Sequence, residues 1–266
     1  MTWIYSLPLG LFAPLAIAAV VALALLGLLL VYRYVHERER FTHNDVAGPV
    51  IGIAGTVLAV MLSFMVVAVW QEFDAAATNV QSEASAVADL YHLANAFPVA
   101  LRRAIQTHIT TYVDTIVGQE WPLMETGRSS QRARRLVGQI QRDVVGYAPT
   151  TAQQQQVQTQ ASQLTQAFVD ERRQRLFDNE QGIPHLMWFA MMFVGFVTIG
   201  FIYLFRVQSF IAHVLMTVGT AAIIAVIFVL IAEMDYPFRG DSGLAPTPFL
   251  QIQAAFHDPT GRAGYY

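Results

Sequence analysis

Side chains that could carry chemistry are thinly spread along this chain. It has seven histidines, none at metal-ligand spacing from a carboxylate, and no cysteine. No Gly-x-Ser-x-Gly or similar catalytic spacing occurs, and Glu120 is the single carboxylate in "QEWP", a stretch typical of a helix ending at a proline. Only His213 stands near membrane depth, where an interfacial residue is favoured over a proton relay. The sequence therefore predicts no metal, no cofactor and no enzyme.

A glycine-rich run, "GPVIGIAGT" from Gly48 to Thr56, raises the possibility of a phosphate-binding loop. The run lacks the Gly-Lys-Ser/Thr ending of that loop, and no strand pattern flanks it. The residues that follow, Val57–Trp70, are apolar except for Ser63. A helix in lipid is the interpretation that the residues favour.

Four long uncharged blocks are the elements that must position any functional residues of the chain. Each is long enough to cross about 30 Å of hydrocarbon as a helix. The blocks are span one, Leu7–Tyr32; span two, Val46–Gln71; span three, Leu186–Phe205; and span four, Val207–Ala232. With 55% hydrophobic and 13% charged residues, the chain is typical of a membrane protein.

The predicted fold is all-α: a polytopic membrane protein with four transmembrane helices in two hairpins and a helical extramembrane insert. Apolar residues at helical spacing run through the insert, for example Ile105, Ile109 and Tyr112, and no stretch alternates like a strand. We expect this helix to end near Gly118 and Pro122. The predicted divisions are hairpin one at 1–71, the insert at 72–184, hairpin two at 185–232 and a tail at 233–266.

Span two has two distinct faces at 100° per residue. One face carries small residues, which allow another helix to approach closely in lipid. These are Gly48, Gly52, Gly55, Ala59 and Ser63. The other face carries Ile53, Val57 and Met61. In a monomer this apolar face meets lipid, whereas in a ring of subunits it forms stacked constrictions that gate by dewetting. The residues alone leave both alternatives open.

The charges near the span ends favour the two membrane orientations almost equally. Arg33, Arg38 and Arg40 follow span one and place the insert outside the cytoplasm by the positive-inside rule. The arginines Arg172, Arg173 and Arg175, close to span three, oppose that placement. We expect a cytoplasmic insert, because long inserts respond weakly to this rule.

Two segments and the order of the parts resemble a known family. The stretch "LSFMVVAVWQEFDAAATNVQSEASAVADLY" and the post-span segment "AEMDYPFRGDSGLAPTPF" are similar to the bestrophin-like family of bacterial membrane proteins, and more distantly to the bestrophin ion channels. The shared order is two spans, a helical insert, two spans and a Pro-Phe segment. The resemblance covers most of the chain.

The resemblance implies a pentameric, mostly anion-selective channel with a cytosolic insert and tail. Its pore neck is then expected near Ile53, Val57 and Met61. The post-span motif, which contributes to a calcium site in eukaryotic bestrophins, corresponds to Asp235, Pro237, Phe238, Gly240 and Asp241. Only Asp235 and Asp241 flank Pro237-Phe238 in place of a dense acidic run, so calcium gating is not expected. The arginine that bestrophins carry after Ser63-Phe64 is also absent.

The leading hypothesis is an oligomeric, anion-conducting channel of the bacterial inner membrane. Its expected partners are the lipid bilayer, inorganic ions and further copies of the chain, with no nucleic acid. The alternative is a non-conducting, membrane-anchored structural or sensory protein whose insert binds a partner.

Overall fold

The computed structural model describes residues 9–34, 44–205, 207 and 209–258. Within these residues the chain forms nine α-helices and no strand. The helices are α1 Leu9–Tyr34, α2 Asn44–Leu93, α3 Val99–Thr115, α4 Trp121–Met124, α5 Gln131–Val145, α6 Ala152–Glu180, α7 His185–Tyr203, α8 Phe210–Met234 and α9 Thr247–His257. Arg38 and Arg40, which bear on membrane orientation, lie outside the described residues.

Four helical segments are long and apolar enough to cross a membrane. They are Leu9–Tyr34, Gly48–Ala96, Ala152–Tyr203 and Phe210–Met234, and each contains an 18-residue stretch whose mean hydropathy is 2.8, 2.5, 2.0 and 2.8, respectively. Their number and order confirm the predicted all-helical fold with four spans.

The chain divides into two compact units. The span unit comprises the described residues of Met1–Gln71, Gly182–Asp235 and Gly240–Ser242. The insert unit comprises the described residues of Glu72–Gln181, Tyr236–Arg239 and Gly243–Tyr266. The tail after α8 therefore contributes residues to both units.

In the span unit, α1 packs against α8 and α7, and Gly27 allows a close approach to Tyr203 at the end of α7. A Cβ atom at Gly27 would lie 2.7 Å from the hydroxyl oxygen of Tyr203, so only glycine leaves room for this ring. The Tyr203 hydroxyl donates to the carbonyl of Ala24 at 2.7 Å. Helix α1 is thereby fixed by shape and by a hydrogen bond, which is the usual way that helices associate in lipid.

His213 lies inside the span unit rather than on its surface. It is fully buried, its Nε2 lies 3.0 Å from the carbonyl oxygen of Ile202, and its Nδ1 lies 3.0 Å from the hydroxyl of Tyr32. Because a carbonyl only accepts, we assign the hydrogen to Nε2 and have Tyr32 donate to Nδ1. The imidazole thus joins α1, the end of α7 and α8 inside the unit, and the interfacial depth expected for His213, which lies in the first turn of α8, stays a prediction.

The insert unit has its own apolar core. The predicted stripe is buried as expected, since Ile105, Ile109 and Tyr112 are fully buried. The helices that follow are capped by side chains, with Ser130 accepting from Ala133 at the start of α5 and Thr151 accepting from Gln154 at the start of α6.

The helix expected to end near Gly118 and Pro122 continues past Gly118 through a π-helical turn, Ile116–Glu120, and ends at Met124, two residues after Pro122. The wider turn buries both Ile116 and Glu120. Pro122 then stands in the first turn of α4.

Candidate functional site

Helix α2 presents an uncovered apolar face in the span unit. Its opposite side is buried, with Leu58, Leu62, Met65 and Val69 packed in one cluster with residues of α7 and α8. The uncovered side carries large apolar residues at spacings of three and four. These are Ile53, Val57, Val60, Phe64 and Val67. Such a face needs either lipid or another protein surface to cover it.

The three predicted neck residues differ in their surroundings within one subunit. Ile53 is 67% exposed and Val57 is 53% exposed. Met61 is half-buried and packs against the cluster that contains Leu62 and Met65. Ile53 and Val57 therefore lie on the open face, and Met61 lies at its border with the buried side.

The predicted small-residue stripe is also open. A Cβ atom built at Gly48, Gly52 or Gly55 meets no atom within 4 Å. Ala59 and Ser63 are exposed, and the Ser63 hydroxyl donates to the Ala59 carbonyl at 2.8 Å, which satisfies it within the helix. Nothing among the described residues of the chain uses the close approach that this stripe allows.

In the span unit, the acidic residues of the post-span motif hold backbone groups. The buried Asp235 accepts the amide of Ile183 through Oδ1 at 2.5 Å. Asp241 accepts the amide of Leu9, the first residue of α1, at 2.9 Å. A carboxylate at a helix N-terminus is stabilised there by the free amides and the helix dipole. No group of three or more His, Cys, Asp or Glu side chains that could hold a metal occurs in the part of the chain that the structure describes.

In the insert unit, the post-span motif contributes Phe238 to the apolar core. Phe238 is buried with its ring edge-on to Trp121 at 5.6 Å between centroids. The carbonyl of Pro237 accepts the amide of Leu244 at 2.7 Å. Gly240, at the boundary of the two units, has a φ of +73°, which favours glycine.

Arg239, a residue that sequence reasoning missed, anchors the same segment. Its Nη2 donates to the carbonyl of Asn179 at 2.8 Å, and its guanidinium carbon lies 4.0 Å from the ring centroid of Tyr236. Gly127 has a φ of +72°, and a Cβ atom there would lie 2.7 Å from Arg239 Nη2. Gly127 is therefore the residue that admits the guanidinium.

A buried charge cluster in the insert unit was missed by sequence reasoning. Arg175 donates to Glu83 at 2.6 and 3.1 Å and to Glu120 at 3.0 Å. Arg172 donates to Glu120 at 2.5 and 2.8 Å and to the hydroxyl of Tyr112 at 3.1 Å. The Tyr112 hydroxyl in turn donates to Glu83. Two carboxylates and two guanidinium groups thus neutralise each other inside the core.

The cluster shifts the pKa values of its members. Burial alone raises the pKa of Glu120, but the hydrogen bond from Arg172 and the charge of Arg175 outweigh burial and hold the pKa below its ordinary value. Burial raises the pKa of Tyr112 well above its ordinary value. Glu120 is therefore ionised and Tyr112 is neutral near pH 7.

A signal for this cluster is present in α6. The buried residues of α6 follow one another at spacings of three and four: Ala161, Thr165, Phe168, Arg172, Arg175 and Asn179. Arg172 and Arg175 thus continue the apolar stripe of the helix toward its C-terminus. They therefore point into the core and are not free charges next to span three.

Comparisons with known proteins agree with the all-helical fold. Two crystal structures of single-substitution variants of a bacterial bestrophin homolog from Klebsiella pneumoniae share the fold. One has a TM-score of 0.66 at 12% identity, covering 94% of this chain and 99% of the other; the second has a TM-score of 0.69 at 13% identity, covering 93% and 98%. No curated protein sequence matches the chain. The family model of the bestrophin-like domain matches residues 18–249, and the chain therefore belongs to the bestrophin-like family.

Proposed function

We propose that this chain is one subunit of an oligomeric ion channel in which the first half of α2 lines an apolar neck. The bestrophin family consists of ion channels rather than enzymes, which supports channel function at this coarse level. The observation that carries the finer proposal is the open face of α2, where Ile53 is 67% exposed and no described residue of the chain covers it.

Assembly around an axis accounts for both open faces of α2. The small-residue stripe at Gly48, Gly52 and Gly55 allows a neighbouring helix to approach closely. The adjoining face with Ile53 and Val57 then turns toward the axis, and Met61 completes it at the border. Rings of such side chains narrow the path to an apolar constriction, which opens and closes by wetting and dewetting. Family resemblance supports five subunits and anions as the permeant ions.

A bacterial inner membrane location with the insert in the cytoplasm completes the proposal. A reporter enzyme inserted in the loop between α5 and α6, at Ala148, tests the side of the insert because this loop is exposed. Activity of a reporter enzyme that works only in the cytoplasm supports the proposal. Activity of a reporter enzyme that works only in the periplasm contradicts it.

Ion flux through liposomes that contain the purified protein tests conduction directly. We expect chloride flux, and we expect Ile53→Ala, Val57→Ala and Met61→Ala to change it because each substitution widens the neck. Ile223→Ala in α8 is the matched control, since Ile223 is 65% exposed in the span unit and makes no part of the neck. Unchanged flux in all three neck variants removes the neck assignment. Absence of any flux from intact oligomers favours the alternative, a non-conducting anchor whose insert binds a partner.

Subunit assembly is tested by Gly52→Leu. Among the described residues, no atom outside the adjacent backbone of α2 lies within 4 Å of a Cβ at Gly52, so the folded subunit has room for the new side chain. A neighbouring helix packed closely against the stripe would leave no such room. We expect the variant to keep its helix content by circular dichroism and to lose the oligomer in native mass spectrometry. An unchanged oligomer contradicts the packing role of the stripe.

A further inference from the structure

The insert unit holds a buried positive charge, Arg239, that no carboxylate among the described residues neutralises. Arg239 is 8% exposed, and it takes part in none of the ion pairs that the described residues form. Its Nη2 donates to a neutral group, the carbonyl of Asn179. The ring of Tyr236 adds a cation–π contact but no negative charge. A buried charge without a counter-charge is costly, so Arg239 differs from Arg172 and Arg175, which are paired in the core.

Two buried atoms at this charge have no hydrogen-bond partner among the described residues. They are Nε of Arg239 and Oδ1 of Asn179, and the two residues are in direct contact through the Nη2 bond. A half-turn of the Asn179 amide exchanges its oxygen and its nitrogen, which puts an N–H group where Oδ1 lies. Nε of Arg239 and Nδ2 of Asn179 then provide two donors next to one positive charge.

Arg175 shows what the same edge of a guanidinium group binds elsewhere in the insert unit. Its Nε donates to one carboxylate oxygen of Glu83 at 2.6 Å, and its Nη2 donates to the other at 3.1 Å. In Arg239 the Nη2 atom bonds a carbonyl instead, and the Nε atom has no acceptor among the described residues. The Nε edge of Arg239 is therefore suited to an anion, because charge-assisted hydrogen bonds are the strong ones.

The surroundings of Arg239 favour a small monovalent anion. A Cβ atom built at Gly127 has three nearest atoms, all of the Arg239 guanidinium: Nη2 at 2.7 Å, Cζ at 3.3 Å and Nε at 3.9 Å. Glycine at this position therefore keeps a side chain off the guanidinium group. One guanidinium charge is neutralised by one negative charge, whereas a phosphate dianion would bury an excess charge and would need more donors than the two present.

We propose that Nε of Arg239 and the side-chain amide of Asn179 bind a chloride ion inside the insert unit. The bound ion supplies the counter-charge of Arg239 and satisfies both buried atoms, and it thereby fixes Arg239 against Asn179 near the end of α6. All residues of the site belong to the insert unit. The inference goes beyond the proposed channel function, since it needs neither ion conduction nor assembly of subunits.

The test compares unfolding of the insert unit in sodium chloride and in sodium gluconate at equal ionic strength. The full-length chain in a non-ionic detergent is unfolded in urea, and the fluorescence of Trp121 is followed with Trp3, Trp70 and Trp188 replaced by phenylalanine. A ligand that binds the folded chain alone raises the midpoint by mass action. At about one hundred times its Kd, chloride should raise the wild-type midpoint by about 1 M urea.

The decisive variant is Asn179→Asp. Aspartate has the shape of asparagine, so the fold is kept, and its carboxylate neutralises Arg239 in place of chloride. We expect its midpoint in gluconate to rise toward the chloride value of the wild type, and its chloride dependence to be lost. The matched control, Asn95→Asp, adds the same charge at an exposed asparagine whose Oδ1 accepts from Gln106 at 3.2 Å, a bond that aspartate also accepts. It should keep the chloride dependence, because general salt effects act on all variants alike.

Line broadening in chlorine NMR provides a direct measure of binding to the same proteins. We expect saturable broadening with the wild type and with Asn95→Asp, and its loss with Asn179→Asp. Equal wild-type midpoints in chloride and gluconate overturn the proposal in favour of a buried water molecule that bonds both atoms. A chloride effect that persists in Asn179→Asp overturns it in favour of an adventitious ion elsewhere. Loss of the effect in Asn95→Asp as well also overturns it, since the effect then reports on added charge alone.

Discussion

Replacement of Arg175 by methionine should destabilise the insert unit severely. Arg175 is fully buried and makes two hydrogen bonds to Glu83 and one to Glu120. After Arg175→Met, Glu120 keeps both bonds from Arg172, but Glu83 keeps only the hydroxyl of Tyr112. The variant thus leaves a buried carboxylate without its counter-charge.

The expected loss is about 4 kcal/mol in the free energy of unfolding, because removing one partner of a buried ion pair typically costs about 3–5 kcal/mol. The double variant Glu83→Leu/Arg175→Met removes both charges, and the remaining pair of Glu120 and Arg172 is still neutral. In the double variant the Tyr112 hydroxyl loses Glu83, to which it donates, but it still accepts a hydrogen bond from Arg172. We therefore expect the double variant to lie within about 2 kcal/mol of the wild type.

Fluorescence of Trp121 provides the assay. Its indole ring centroid lies 5.5 Å from the guanidinium carbon of Arg175, and it is the one tryptophan of the insert unit among the described residues. With Trp3, Trp70 and Trp188 replaced by phenylalanine, Trp121 reports unfolding in urea. A loss of 4 kcal/mol corresponds to a lower midpoint by about 2 M urea. A midpoint for Arg175→Met equal to that of the wild type, or a double variant no more stable than the single one, refutes the reasoning.

Three further predictions concern packing and pH. Gly27→Ala should lower the thermal midpoint of the detergent-solubilised protein by displacing the Tyr203 ring, at a cost of about 1–3 kcal/mol, whereas Gly219→Ala should not, since a Cβ there meets nothing within 4 Å. Gly127→Ala should lower the urea midpoint, because φ is +72° and the Cβ would lie 2.7 Å from Arg239. The pKa of Glu120 is lower in the folded chain than its ordinary value of 4.5, so its contribution to stability is complete above pH 4.5 and is lost as pH falls through the folded value. Urea midpoints measured against pH should therefore fall on acidification, and Glu120→Gln should flatten this slope; an equal slope in Glu120→Gln contradicts the assignment.

The helices and their buried faces could be predicted because they follow from apolar periodicity. Uncharged blocks long enough to cross a bilayer give the spans, and residues such as Ile105 and Ile109 give the core face of the insert. The small residues of α2 also lie on one open face, as helical phase requires. The two faces of span two could be predicted because small residues such as Gly52 and large residues such as Ile53 each recur at helical spacing on separate sides of the helix.

The remaining features depend on contacts between residues far apart in the chain. Glu83, Glu120 and Arg175 come from three separate helical segments, and only the folded insert unit brings their charges together. The π-helical turn at Ile116–Glu120 places Glu120 in the core beside Arg172, which is 52 positions away in the chain. Met61 likewise has the phase of an open-face residue, yet its long side chain reaches the cluster around Met65.

The distance between copies of residue 53 in the assembled protein tests the central claim most directly. A spin label at Ile53→Cys is the only labelled site, since the chain has no cysteine, and Ile223→Cys provides an exposed position on α8 for comparison. Pulsed electron paramagnetic resonance in nanodiscs should give short distances between copies at residue 53 and longer ones at residue 223. Distances at residue 53 as long as those at residue 223 would place the open face of α2 against lipid and contradict the proposed neck.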